Sequence, residues 1–169
     1  MKVTLYMAIS TDGYVAKKND NTDWVCDADW AVFSKIVKQT GCIVMGRRTY
    51  EVSGEDFPYD CKLNIVMTSD ENLKSDSANV VFTSESPAGV IEIAKNEGFD
   101  NLLIIGGGSV NAAFLEQGLI DEIYLSIHPK VLGEGIKIFS GDENDVDLDL
   151  LEVKQLEEDL VQLHYKVRK

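Results

Sequence analysis

The segment LLIIGGGSV, residues 102–110, is the most informative stretch of this chain for its fold. Its four apolar residues, 102–105, are typical of a buried strand, and residues 109–119 carry an apolar stripe at roughly helical spacing. Three glycines therefore lie between a strand and a helix. A bare backbone at a helix N-terminus presents free N–H groups and the positive end of the helix dipole, which favours phosphate binding. A tight turn with positive φ is the alternative explanation.

The composition predicts one globular domain, residues 1–169. The 169 residues are 44% hydrophobic and 27% charged, with a formal net charge of −13 at pH 7. This excess of acid argues against nucleic acid or an anionic membrane as a partner, because both attract basic surfaces. No apolar run reaches about 18 residues, and no signal-peptide pattern begins the chain. We therefore expect a cytoplasmic protein.

Residues that build metal sites and hydrolytic triads are sparse. The three cysteines are odd in number and form no CxxC pair, so we expect neither a disulfide framework nor a zinc site. The two histidines, His128 and His164, lie in predicted strands with no Ser or Cys elbow motif nearby. The sequence thus predicts no metal centre and no hydrolase triad.

Strands alternate with helices along most of the chain, which favours parallel β-α-β units. The predicted strands are residues 2–9, 42–45, 63–67, 80–82, 102–105, 122–128 and 136–139, and the predicted helices are residues 27–39, 86–98 and 109–119. Residues 150–156 and 160–167 resemble a closing antiparallel hairpin, and the acidic residues 141–149 a solvated loop. The predicted fold class is α/β: a single-domain mixed, mostly parallel sheet with helices on both faces and a C-terminal antiparallel hairpin.

A second candidate anion site, GRRTY at residues 46–50, follows a predicted buried strand. Ligands of open α/β sheets bind at the carboxyl ends of strands, and the guanidinium fork suits a phosphate monoester. Thr68 and Ser69 end the next strand and would add hydroxyl contacts to the same anion. The alternative is that two surface arginines balance acidic neighbours.

Together, the glycine run and the arginine pair predict a dinucleotide with an extra phosphate, NADP rather than NAD. A Rossmann domain would carry GxGxxG after its first strand. Here the first strand ends AISTDG, residues 8–13. The cofactor must therefore be bound by a different fold.

Four segments, in order along nearly the whole chain, resemble the dihydrofolate reductase-like superfamily. They are AISTDGYVA at residues 8–16, GRRTY at 46–50, IGGGSV at 105–110 and GLIDEIYLSIHPKVLGEGIKIF at 118–139. The first and last are most similar to the reductase domain of bifunctional riboflavin-biosynthesis proteins, the RibD C-terminal domain.

The resemblance implies NADPH as the cofactor. Arg47 and Arg48, with Ser69, would hold the 2′-phosphate, and Ala8 and Ile9 would flank the nicotinamide. It also implies a cis peptide bond within the glycine run, at residues 106–107. The full set of predicted cofactor residues is Ala8, Ile9, Gly46, Arg47, Arg48, Thr49, Thr68, Ser69, Ile105, Gly106, Gly107, Gly108, Ser109 and Val110.

The spacing of Trp24, Asp29 and Phe33 resembles the dihydrofolate reductase segment that carries the pterin-facing tryptophan, acid and phenylalanine. A carboxylate in an apolar pocket orients the substrate and favours protonation of the C=N nitrogen, which speeds hydride delivery. Asp29 would have this catalytic role, with Ser126 nearby. Equally, Asp29 would only place charge in the first turn of a helix.

Two positions depart from the family patterns. Where dihydrofolate reductases have an arginine for the folate tail, this chain has Lys62, which cannot make a two-pronged contact. Riboflavin-pathway reductases usually have a glutamate where Ile105 stands here, and basic residues where the helix after Trp24 is acidic. The cofactor half is therefore better matched than either substrate half.

We predict a reductase that transfers hydride from NADPH to a small nitrogen heterocycle, resembling the 5-amino-6-(5-phosphoribosylamino)uracil reductase of riboflavin biosynthesis. The alternatives are a dihydrofolate (pterin) reductase and a non-catalytic NADP-binding module. A homodimer is also open, because residues 131–139 and the final hairpin offer apolar edge surface.

Overall fold

The computed structural model describes residues 1–141 and 145–169. In these residues the chain forms ten strands and four helices. Their order is β1 (Lys2–Ser10), β2 (Tyr14–Ala16), α1 (Asp27–Thr40), β3 (Cys42–Gly46), α2 (Arg47–Ser53), β4 (Leu63–Met67), β5 (Val80–Thr83), α3 (Pro87–Asn96), β6 (Asn101–Ile104), α4 (Gly108–Glu116), β7 (Glu122–His128), β8 (Ile136–Lys137), β9 (Leu148–Gln155) and β10 (Val161–Val167).

The main sheet has eight strands in the order β5-β4-β3-β6-β1-β7-β10-β9. The first six strands in this order, from β5 through β4, β3, β6 and β1 to β7, are parallel to one another. Strand β10 is antiparallel to both β7 and β9. The short strands β2 and β8 pair in a separate antiparallel sheet. The predicted fold class, a mostly parallel mixed sheet closed by an antiparallel hairpin, is confirmed.

Alternating side chains divide the core between the two faces of the sheet. On β1, Leu5 and Met7 belong to a cluster that includes Phe114 of α4. Tyr6, between them, points into a second cluster with Val37 of α1. Successive strand residues face opposite sides, so the apolar run of β1 requires helices on both faces.

The helix boundaries follow local signals in the sequence. Helix α1 ends at Gly41, whose φ of +75° permits a left-handed cap that few other residues adopt readily. Helix α3 begins after Ser86, whose side chain accepts a hydrogen bond from the Gly89 N–H, with Pro87 in the first turn. None of the helices in the described ranges is long and apolar enough to cross a bilayer.

The sequence prediction missed two elements. Strand β2 lies inside the predicted polar loop 10–22 and is held by pairing with β8, a long-range contact without a local signal. Helix α2 follows β3 immediately, where no helix was predicted.

Several boundaries were also wrong. Strand β8 covers two residues rather than 136–139, and β9 already begins at Leu148, within the predicted acidic loop. Residues 142–144 of that loop lie outside the described residues.

Candidate active site

The glycine run and the arginine segment meet at one edge of the sheet. Strands β3 and β6 are adjacent and parallel, so their carboxyl ends coincide. There the Gly46 N–H donates to the Gly106 carbonyl oxygen at 2.8 Å, and the Ile105 N–H donates to Val44 at 3.0 Å. Residues from both segments line a cavity of about 800 Å³, within the size range of ligand pockets.

The start of α4 directs backbone donors without a partner inside the helix toward this cavity. The Asn111 N–H donates to the carbonyl of the N-cap residue Gly107 at 3.0 Å. This is the first hydrogen bond of the helix, so the N–H groups of Gly108, Ser109 and Val110 have no partner inside the helix, as at any helix N-terminus. All four residues from Gly107 to Val110 line the cavity. The dipole and these donors suit a pyrophosphate.

The glycines also allow close packing between the start of α4 and the segment that contains Gly46. A Cβ on Gly107 would lie 3.3 Å from the Thr49 hydroxyl, and one on Gly46 would lie 3.0 Å from Val110 Cγ2. Gly106 has a φ of +101°, and the peptide bond between Gly106 and Gly107 is cis, as predicted. A side chain on Gly46 or Gly107 would therefore press against neighbouring protein atoms, and the bare backbone lets the two segments pack this closely at the cavity wall.

Both arginines line the cavity and are already paired with carboxylates. Arg47 Nε donates to Glu51 Oε1 at 2.7 Å and its Nη1 to Asp70 Oδ2 at 3.1 Å. Arg48 Nε lies 2.5 Å from Asp20 Oδ1. Each guanidinium carries five N–H donors, so donors remain for a phosphate. Phosphate binding and the balancing of acidic neighbours are therefore compatible roles for this arginine pair.

The structure does not bring every predicted cofactor residue to the cavity wall. The lining includes Ala8, Gly46, Arg47, Arg48, Thr49, Ile105, Gly107, Gly108, Ser109 and Val110. Ile9 and Gly106 lie behind it. Thr68 borders a separate depression, and Ser69 is exposed beside Asp70, the partner of Arg47.

Aromatic rings form the opposite part of the cavity wall. Phe33 lies at the centre, with ring centroids 5.4 Å from Trp30, 5.5 Å from Tyr59 and 5.6 Å from Tyr6. Asp29 lines the same region although only 2% of its surface is exposed. A flat ring could stack against these aromatic groups while presenting polar edges to the carboxylate.

A chain of buried hydrogen bonds ends on Asp29. The Tyr6 hydroxyl donates to Asp29 Oδ1 at 2.6 Å and lies 2.9 Å from Ser126 Oγ. Because its single proton is directed to Asp29, Tyr6 must accept from Ser126, which in turn accepts from Gln162 Nε2 at 3.2 Å. Burial, and then the nearby Asp29 charge, hold the pKa of Tyr6 far above its usual range. Tyr6 is therefore a permanent donor.

Three predicted substrate residues do not line the cavity. Ser126 lies behind Tyr6, and Lys62 is exposed outside the cavity. Trp24 packs edge-on against His128 with ring centroids 5.1 Å apart. Its buried Nε1 has no hydrogen-bond partner among the described residues.

Sequence reasoning missed Tyr6, Trp30 and Tyr59 as pocket residues. Trp30 and Phe33 are three residues apart on α1, a spacing that places them on one helix face. Tyr6 is the one tyrosine in the apolar strand β1. The spacing of Trp30 and Phe33 and the tyrosine within β1 are both visible in the sequence. The position of Tyr59 depends on the loop between α2 and β4 and has no local pattern.

Comparisons with known proteins identify the family of this chain. The sequence model of the RibD C-terminal domain matches residues 1–162. The chain is 32% identical to the uncharacterized protein YwjB of Bacillus subtilis over 97% of each chain. It is also 30% identical to the bifunctional dihydrofolate reductase-thymidylate synthase of Plasmodium vinckei over 68% of this chain and 62% of that protein.

Solved structures show the same fold. A putative riboflavin biosynthesis protein from Shewanella sp. PV-4 superposes with a TM-score of 0.82 at 23% identity and full coverage of both chains. A Thermotoga maritima diaminohydroxyphosphoribosylaminopyrimidine deaminase/5-amino-6-(5-phosphoribosylamino)uracil reductase gives a TM-score of 0.79 at 18% identity. That match covers 99% of this chain and 56% of the Thermotoga chain. The chain belongs to the RibD C-terminal domain family, whose members have a dihydrofolate reductase-like fold.

Proposed function

We propose that this protein is an NADPH-dependent reductase of a small nitrogen heterocycle, in line with its riboflavin-reductase-like family. One observation carries the proposal: the glycine-rich start of α4 and the buried carboxylate of Asp29 line the same cavity. A dinucleotide on the backbone donors would extend toward the aromatic wall. A flat substrate on that wall would lie beside the cofactor.

The cofactor half of the cavity would hold NADPH through the first turn of α4, Thr49 and the two arginines. When bound, NADPH supplies a hydride and is released as NADP⁺, so the acceptor carbon gains two electrons and one hydrogen. Ala8, at the carboxyl end of β1, lines the cavity between the two halves. The arginines would distinguish NADPH from NADH by its extra phosphate.

Asp29 would bind the substrate through the carboxylate oxygen that Tyr6 leaves free. Tyr6 donates to Oδ1, so Oδ2 can accept an N–H of the heterocycle. The negative charge favours the protonated C=N nitrogen, which balances the arriving hydride with a proton taken from solvent. Because the carboxylate is almost fully buried, its field acts in a medium of lower dielectric than water.

A pterin is the second candidate substrate. The buried acid, flanked by Phe33 and Trp30, supports it, as does the spacing of Asp29 and Phe33. A riboflavin-pathway pyrimidine is supported by the family. A module that binds NADP without catalysis would have no need for a buried carboxylate in the cavity.

The test is NADPH oxidation across a panel of dihydropterins and ribosylaminopyrimidines, with NADH as the control cofactor. We expect turnover with at least one compound and a clear preference for NADPH. Tight NADPH binding without turnover of any compound would support the non-catalytic module instead. Equal rates with NADH would contradict the role of the arginines.

A further inference from the structure

Several acidic side chains line the cavity near the aromatic rings. Asp27 and Asp29 of α1 line it, as does Asp56 at the end of the turn after α2. Asp56 lies near enough to Tyr59 that its charge adds to burial in raising the pKa of that ring. Within the described residues, neither Asp27 nor Asp56 forms an ion pair with a basic group.

The basic side chains of the cavity wall are already engaged with carboxylates. Among the described lining residues only Arg47 and Arg48 are basic, and both belong to the first turn of α2, beside the glycine run. Arg47 binds Glu51 and Asp70, and Arg48 binds Asp20. If NADPH binds as proposed, its extra phosphate would take the remaining donors. No cation of the wall is then left for a second anion.

We propose, on the basis of the proposed reductase function, that the substrate is a flat heterocycle without phosphate or carboxylate, neutral or cationic. Its ring would stack on Phe33 and Trp30, with N–H groups directed to Asp29. A substituent on that ring would extend along Tyr59 toward Asp56. An anionic group there would face a like charge with no cation to offset it, which selects against such ligands.

The proposed ligand differs from the substrate in the name of the Thermotoga structural neighbour, because that substrate carries a phosphate. The acidic side chains of the wall equally disfavour a pterin with a carboxylate tail. The one lysine predicted to attract such a tail, Lys62, is exposed outside the cavity. Both candidates of the proposed function would therefore be accepted only in forms stripped of their anionic groups.

The experiment uses two matched pairs of compounds. The first is 5-amino-6-ribosylaminouracil with and without its 5′-phosphate, and the second is 7,8-dihydrofolate against its uncharged dimethyl ester. We expect kcat/KM to be at least about tenfold higher for the anion-free member of a pair, since one factor of ten requires only about 1.4 kcal/mol. The difference should shrink as salt is added. An anionic member that reacts as well or better would overturn the proposal.

A calorimetric measurement of how each compound binds to the protein saturated with NADP⁺ tests the inference separately from the proposed reductase activity. If no compound oxidises NADPH, the proposed reaction fails. The ratio of dissociation constants within each pair still decides the charge of the ligand. Weaker binding of the anionic member supports the inference, and equal or tighter binding, or no binding of either member, contradicts it.

Two neighbouring substitutions locate the effect. Asp56→Lys and Glu55→Lys change the net charge equally in the same exposed turn, but only Asp56 lines the cavity. We expect Asp56→Lys to shift the preference within each pair at least tenfold toward the anionic member. Glu55→Lys should leave the preference unchanged. Equal shifts in both variants would mean that overall charge, rather than the cavity wall, determines selectivity, and would refute the inference.

Discussion

Tyr6 of β1 donates a 2.6 Å hydrogen bond to Asp29 of α1, and both groups are almost completely buried. This contact joins the central sheet to the helix that forms the aromatic wall. It fixes one carboxylate oxygen of Asp29, and the proposed substrate would bind the other. The orientation of the proposed acid therefore depends on a tyrosine that no sequence motif had singled out.

Asp29→Asn should reduce kcat/KM for NADPH oxidation by about 10²–10⁴-fold, the usual contribution of a positioned acid or base. The NADPH dissociation constant should stay within about twofold. Asp27→Asn is the comparison variant, because both acids lie in the first turn of α1 and line the cavity, but Asp29 is the one that is buried and bonded to Tyr6. Equal losses of activity in the two variants would mean that Asp29 contributes only negative charge, and no specific contact.

Tyr6→Phe should lower both stability and kcat. The substitution removes the donor to Asp29 and an acceptor for Ser126, and an unpaired buried polar group costs about 1–3 kcal/mol. Urea denaturation measures the loss, and steady-state kinetics should show a lower kcat with NADPH binding preserved. Tyr124→Phe, at the paired position on β7, should change both quantities little. Similar losses in both variants would argue against the hydrogen-bond chain.

Arg47→Ala should reduce the preference for NADPH over NADH. A charge-assisted hydrogen bond to phosphate contributes about 1.5–3 kcal/mol, so KM for NADPH should rise about tenfold or more while NADH kinetics stay unchanged. Arg168→Ala is a control with the same charge change, since Arg168 pairs with Asp149 away from the cavity. If Arg47→Ala keeps the preference for NADPH, a group other than Arg47 binds the 2′-phosphate.

Two of the three thiols should resist alkylation in the native protein. Burial raises the pKa of Cys42 to about 12 and that of Cys61 to about 11. Only the thiolate reacts, so about one Cys61 in a thousand is reactive at pH 8, and the rate should rise with pH up to that pKa. A thiol reagent should titrate at most one group natively and three after denaturation. Rapid reaction of more than one native thiol would contradict the burial of these side chains.

The free edge of the sheet predicts a homodimer. Leu150, Leu151 and Val153 of the edge strand β9 are each at least half exposed, and unpaired edges with apolar side chains favour association. Light scattering should give twice the chain mass of 18.7 kDa, and Leu151→Lys should shift the protein to monomer. A monomer at all concentrations would reject this prediction.

The glycine-rich helix start was predictable from sequence because its signals are local. A strand, a glycine run and a helix are consecutive, so the cradle at residues 106–110 needs no distant partner. The parallel direction of β3 and β6 follows from alternating strands and helices, but only the tertiary structure decided that these strands are neighbours, with Gly46 beside Gly106. Of the predicted catalytic and substrate residues, Asp29 and Phe33 line the cavity, whereas Trp24 and Lys62 do not.

By itself, the sequence determined the fold class and the glycine-rich helix start, since hydrophobic periodicity and glycine act over short stretches of chain. Only the tertiary structure decided which side chains share the cavity. Tyr6 reaches Asp29 from 23 residues away, and Ser126 reaches Tyr6 from 120. Such contacts depend on strand order and side-chain direction, and neither leaves a trace in local residue patterns.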